Sequence, residues 1–342
     1  MRICVVSTTV LTVPLAGYGG LEEIAYLQAV GLAKKGHEVM LVAPRGSRAP
    51  GCHLHETTLM EHEELAFSGY RPKLGSFDAI IDHSWMKYAV LLKMENQIKA
   101  PVLLWTHAPV NTMWEKPPPL PKPCIVCISK DQAAHAKELW GVNARVCYNG
   151  IDIDFYRSHA TSTRGNRYLF LARFSSIKGP HLAVEAAMRT NIELDLVGDD
   201  KLTAEPAYLE QVKRAAQSYG GKASFIGPVS REKAVEYFST RKALLHMNQS
   251  YREPFGLAPL EAQLCGMPVI AFDNGAMRET IKPGETGFLV RSTDEVVKLV
   301  LEDAVSKINP LACREWAKQF SVEAMVSRAE ELCKEAIEKG GW

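Results

Sequence analysis

The chain has 342 residues, 46% of them hydrophobic, with 40 basic and 39 acidic side chains and a formal net charge of +1. That length fills more than one core, so two domains are expected, and the near-neutral balance gives no support to nucleic-acid binding by bulk electrostatics. No run of about eighteen apolar residues occurs, so no transmembrane segment is expected, and the chain reads as cytoplasmic.

Residues 2–7 read as a buried strand and not as a signal peptide, because Thr8 and Thr9 interrupt it before an apolar region develops. A glycine-rich turn with Gly17, Gly19 and Gly20 then opens a helix over 21–35. There Ile24, Leu27, Ala29, Val30 and Leu32 have helical spacing and Gly36 supplies the stop. Strands follow at 38–43, 77–82, 101–106, 124–129 and 144–148, with helices at 86–95 and 131–139. Two segments break the order. Residues 45–75 carry His53, His55, His62 and many acids without clear periodicity, and the histidine spacing matches no metal-ligand pattern. Residues 115–123 hold five prolines and read as irregular loop.

A polar join near 151–166 precedes a second run of alternating elements. Strands are expected at 167–172, 193–197, 223–226, 242–247 and 269–272, and helices at 181–189, 207–218, 231–240 and 260–265, with a long terminal helix at 320–339. Alternation of this kind builds parallel α/β sheets. The expected domains are therefore residues 1–155, with helix 320–339 packing back on them, and residues 165–318. The eight cysteines are scattered. Cys124 and Cys127 fall on one strand, where positions three apart face opposite ways, so most thiols read as small buried hydrophobes and not as a zinc or redox pair.

Chemistry concentrates at four places. Glu253-Pro-Phe-Gly-Leu-Ala-Pro-Leu-Glu261 puts two carboxylates around an expected helix start, with Pro259 in the first turn and Gly266 as the stop. A helix N-terminus suits a phosphate, and carboxylates accept hydrogen bonds from sugar hydroxyls. Arg173 and Lys178 flank a strand–helix junction, where an arginine and a lysine converge on a diphosphate. Asp82-His83-Ser84 and Trp105-Thr106-His107 end short apolar strands, and in α/β folds such ends face the ligand crevice. Gly19 and Gly20 let a phosphate approach the backbone, although they do not form G-x-G-x-x-G.

These motifs occur in order with Gly36-His37-Glu38-Val39, Asn149-Gly150-Ile151-Asp152, Lys178-Gly179, Gly266-x-Pro268-Val269-Ile270, Gly275 with Glu279, and Thr286-Gly287-Phe288-Leu289-Val290. The ordered set resembles the family 4 glycosyltransferases over nearly the whole chain. That resemblance implies a GT-B fold, two Rossmann-like domains facing each other across a deep interdomain cleft. It implies a retaining, metal-independent hexosyltransferase with no further cofactor. The donor would be a UDP- or GDP-hexose, of UDP-glucose or GDP-mannose type. The acceptor would be a sugar, a lipid or a small molecule, met by the first domain.

By the same resemblance Glu253 would bind the donor hexose and Glu261 the ribose. Phe255, Gly256 and Leu257 would offer backbone N–H groups. Arg173 and Lys178 would neutralise the departing diphosphate. Gly19 and Gly20 would approach that diphosphate from the first domain, and His107 would lie near the reacting carbon. Two other enzyme classes stand as alternatives. A sugar-nucleotide epimerase shares the architecture. An NAD-dependent dehydrogenase would want G-x-G-x-x-G after the first strand and an acid ending the second, which instead ends Val42-Ala43-Pro44-Arg45.

Overall fold

The computed structural model describes residues 1–15, 20–113, 116–157, 164–198 and 205–342. It comprises two α/β units, Met1–Gly150 with Phe320–Trp342, and Ile151–Gln319.

The first unit is a parallel sheet of β1 (Arg2–Val6), β2 (Glu38–Pro44), β3 (His53–Thr57), β4 (Ala79–Asp82), β5 (Val102–Thr106), β6 (Ile125–Cys127) and β7 (Arg145–Val146), in the order β3-β2-β1-β4-β5-β6-β7. The central strands are apolar on both faces and fully buried, as helices on both sides of a parallel sheet require. The second unit repeats the plan with β8 (Tyr168–Leu171), β9 (Leu194–Val197), β10 (Ala223–Gly227), β11 (Leu244–His246), β12 (Val269–Phe272) and β13 (Gly287–Val290), ordered β10-β9-β8-β11-β12-β13. In both sheets the order reverses beside the first strand, between β1 and β4 and between β8 and β11. Loops diverge there and leave a crevice at the strands' carboxyl ends. Each unit has its own core, one built around Cys4, Val6, Ile80 and Leu104, the other around Phe170, Phe174, Leu196 and Leu245.

Residues 45–75, without clear periodicity in sequence, hold β3, a helix Glu63–Tyr70 and a 3-10 turn Arg71–Ser76. The edge strand His-Leu-His-Glu-Thr is mostly exposed, so no apolar run marks it. Its His55 lies 2.9 Å from Lys73 Nζ and edge-on to Tyr70. Two helices beyond residue 290, Thr293–Leu301 and Pro310–Ala317, lie outside the expected elements, although Val296 and Val300 of the first are buried one turn apart; Ser292 and Asn309 cap the two helices through their side-chain oxygens. All eight cysteines are free, and all but Cys52 are buried. The terminal helix Val322–Lys339 packs on the helix Leu21–Lys34 of the first unit, burying Met325, Val326, Ala329 and Leu332. No helix among the described residues is long and apolar enough to cross a membrane.

Candidate functional site

In the second unit the reversal between β8 and β11 gathers an acid, a lysine, a histidine and an amide. Strand β8 runs out through Arg173 into a 3-10 turn, Ser176–Lys178. Strand β11 ends at His246 and leads through Asn248 to Glu253. The Lys178 Nζ donates to Glu253 Oε2 at 2.6 Å, and Asn248 Nδ2 donates to the same oxygen at 2.8 Å. His246 Nε2 lies 3.6 Å from it. The other oxygen, Oε1, takes no hydrogen bond from the described residues.

Glu253 is 7% exposed. Burial alone would raise its carboxyl, but Lys178 beside it and the His246 ring outweigh that and hold it at about 2. The side chain is therefore an ionised acceptor with one face pinned and one face open. Its backbone is pinned as well. Ala276 N donates to Glu253 O at 2.9 Å. Gly275, at φ +63°, lies so close that a Cβ there would stand 2.2 Å from that carbonyl oxygen. Lys178 also packs against the Tyr251 ring, 4.8 Å from its centroid.

Beyond Glu253 the helix Leu257–Leu264 begins a turn earlier than its sequence suggests, so Pro259 stands at its third position, where no N–H is needed. Gly256 leads in at φ +86° and no side chain caps the N-terminus. A Cβ on Gly256 would meet Met277 Cε at 2.4 Å. The Phe255 ring is buried and anchors the turn, while Leu257 is partly exposed. Glu261 is buried and accepts from Tyr156 Oη at 2.6 Å. Burial, and then the Glu261 charge, push the Tyr156 hydroxyl well up, so it remains a donor. Arg173 is exposed on its loop. The structure thus brings Glu253 and Lys178 into contact and leaves Arg173 at the surface. Three contributors are absent from the sequence reading: His246, Asn248 and Tyr156. His246 and Asn248 carry the same signal as His107, a polar residue at a strand's carboxyl end. Tyr156 carries none.

In the first unit His83 and His107 follow β4 and β5. His83 Nδ1 lies 2.7 Å from His107 Nε2, and His83 Nε2 lies 2.9 Å from Gln28 Oε1. The two imidazoles stack with centroids 5.0 Å apart, and His83 also packs on Trp105. Lys87 is buried nearby at φ +53° and donates to Asp82 O at 2.7 Å. Burial lowers its ammonium to about 8. Burial, with the Lys87 charge added, holds the His107 imidazole down at about 3. Gly20 precedes the helix Leu21–Lys34, whose first turn holds Glu22 and Glu23; Glu22 is buried and accepts from Thr8 Oγ1 at 2.6 Å. Gly19 lies outside the described residues.

The sequence model of glycosyl transferases group 1 matches residues 153–317, and that of Glycosyltransferase Family 4 matches residues 18–155. A D-inositol 3-phosphate glycosyltransferase of Geodermatophilus obscurus is 25% identical over 260 residues, 64% of this chain and 57% of its own length. The chain thus spans little more than half of that relative. A protein of the same name from Rhodococcus erythropolis is 26% identical over 85% of this chain and 80% of its own. The solved sucrose-phosphate synthase of Thermosynechococcus elongatus superposes with a TM-score of 0.80 at 20% identity, covering 99% of both chains, which establishes the likeness of fold. With these two glycosyltransferase models matched in order, one on each α/β unit, the chain belongs to the family 4 glycosyltransferases of GT-B fold.

Proposed function

We propose that this protein moves a hexose from a nucleotide diphosphate sugar, of UDP-glucose or GDP-mannose type, to an acceptor hydroxyl. Transfer retains anomeric configuration and uses no metal ion. The observation that carries this reading is Glu253: buried, ionised, held through one oxygen by Lys178 and Asn248, with the other oxygen taking no hydrogen bond from the described residues. Such a group accepts a hydrogen bond from a sugar hydroxyl in a fixed direction.

Glu253 orients the hexose and Glu261 takes the ribose. The uncapped N-terminus around Phe255, Gly256 and Leu257 receives the diphosphate, where helix-end N–H groups favour an anion. Arg173 and Lys178 stabilise the negative charge that grows as the glycosidic bond to phosphate breaks. His107 bonds the hexose near its reacting carbon. As the bond to the leaving phosphate breaks, its electron pair stays on the phosphate, the acceptor oxygen bonds the anomeric carbon, and the acceptor proton leaves with the diphosphate. The relatives are named for D-inositol 3-phosphate, which makes that polyol phosphate the first acceptor to test.

A thermal-shift series with UDP, GDP, ADP, their hexose conjugates and NAD tests the donor. At a hundredfold excess over Kd a ligand stabilises by about 2.7 kcal/mol. One nucleoside diphosphate and its sugar should raise Tm and the others should not. A shift with NAD alone would refute the reading.

A further inference from the structure

The polar cluster around His107 in the first unit has an internal order that the proposed contact of His107 with the hexose does not by itself explain. His83 is fully buried between two partners, with Nε2 at 2.9 Å from Gln28 Oε1 and Nδ1 at 2.7 Å from His107 Nε2. A neutral imidazole carries one N–H and one lone pair. An amide oxygen only accepts, so the His83 proton sits on Nε2 and its Nδ1 is bare. The short contact to His107 Nε2 then needs a proton from that side. His107 is therefore protonated on Nε2, and its Nδ1 is a lone pair. His107 is partly exposed, and its Nδ1 makes no hydrogen bond among the described residues.

We infer that Gln28 and His83 are positioning residues that fix the tautomer and ring orientation of His107, so that His107 presents Nδ1 as a hydrogen-bond acceptor to a substrate hydroxyl. The inference rests on the proposed reading of His107 as a residue that faces the sugar. It adds a selectivity: a hydroxyl is accepted at this point, and a bare oxygen such as a carbonyl or phosphate is not.

The surroundings hold the relay in one state. Trp105 and His107 both pack against the His83 ring, with centroids at 5.4 and 5.0 Å. A second proton on His83 would sit on Nδ1 and place two N–H groups face to face at 2.7 Å, and a second proton on either imidazole would add charge beside the buried Lys87 ammonium. Neither nearby carboxylate bonds an imidazole: Asp82 Oδ1 accepts from Ser84 N at 2.9 Å and Ser84 Oγ at 2.6 Å while its Oδ2 is buried without a partner among the described residues, and Glu63 accepts from the backbone of Trp85 and Met86 at 3.0 and 2.7 Å. The Gln28 amide is the switch of the relay. Turned over, its Nε2, which is buried and unpartnered, would donate to His83 and reverse every proton, leaving His107 with an outward N–H at Nδ1.

Nitrogen-15 NMR of the full chain labelled at histidine reads the tautomer directly and needs no substrate. For the unaltered protein at neutral pH we expect the His107 Nε2 to be protonated and Nδ1 to be bare, and His83 likewise. The reverse tautomer, or a His107 averaged between the two, overturns the inference. Gln28→Leu keeps the volume and removes the acceptor, so both imidazoles should then populate mixed tautomers, and kcat with the sugar nucleotide should fall about tenfold, the worth of one hydrogen bond, with donor KM little changed. A His107 tautomer unmoved in that variant also overturns it. If the tautomers are as expected and no sugar nucleotide binds, the relay stands and the proposed transfer fails.

Discussion

Burying a carboxylate without neutralising it requires partners, and Glu253 takes them from two strand ends. Lys178 arrives from the turn after β8, and Asn248 and His246 from the end of β11. Removing one member of such a pair leaves an uncompensated buried charge, at a cost of about 3–5 kcal/mol. All of this cost secures one oxygen; the other takes no hydrogen bond from the described residues. In the proposed reaction Glu253 orients the sugar and does not attack it. Glu253→Gln keeps an acceptor oxygen and the volume but loses the charge, which is worth about 1.5–3 kcal/mol in a hydrogen bond to a charged group. Steady-state kinetics should therefore show kcat/KM reduced by about 10–100-fold with turnover still measurable. Complete loss of turnover with donor binding intact would make Glu253 a nucleophile and contradict this role. The pair Glu253 and Glu261 was legible in sequence because the seven residues between them carry glycine and proline signals. Its partners were not, since Lys178 is 75 positions away in sequence and only the fold brings it near.

At the scale of elements, helix contacts decide what the glycines do. Gly31, inside the helix Leu21–Lys34, faces Val326 of the terminal helix, and a Cβ there would stand 2.3 Å from Val326 Cγ2. Alanine gains about 1 kcal/mol of helix propensity over glycine, yet overpacking costs about 1–3 kcal/mol. Gly31→Ala should therefore lower Tm, and adding Val326→Ala should recover part of the loss, measured by thermal unfolding. A rise in Tm for the single variant would show that the helices are free to move apart. The long amphipathic helices and the buried central strands were legible because their periodicity is set by the same burial that holds them. The edge strand His53–Thr57 was not, because an exposed strand owes its pairing to backbone hydrogen bonds and needs no apolar pattern. The helix Thr293–Leu301 did carry a readable signal, Ser292 followed three places on by Glu295, where the serine hydroxyl accepts from the Glu295 N–H.

At the scale of the whole molecule, the two sheets share one strand order around the first strand of each, and both put their polar clusters at the strands' carboxyl ends. One cluster is built on a pinned carboxylate and the other on a neutral pair of imidazoles. The ordered motifs across 342 residues made the family readable before any coordinates. Acceptor choice was not readable, because the segments of the first unit outside those motifs follow no pattern that their chemistry imposes. The measurement that tests the central claim most directly is product analysis by mass spectrometry and NMR after incubation with UDP-glucose or GDP-mannose and D-inositol 3-phosphate or another hydroxyl acceptor. The account predicts acceptor-dependent release of the nucleoside diphosphate and a hexosylated acceptor with the donor's anomeric configuration. An epimerised sugar nucleotide formed without acceptor, or a product of inverted configuration, would contradict it.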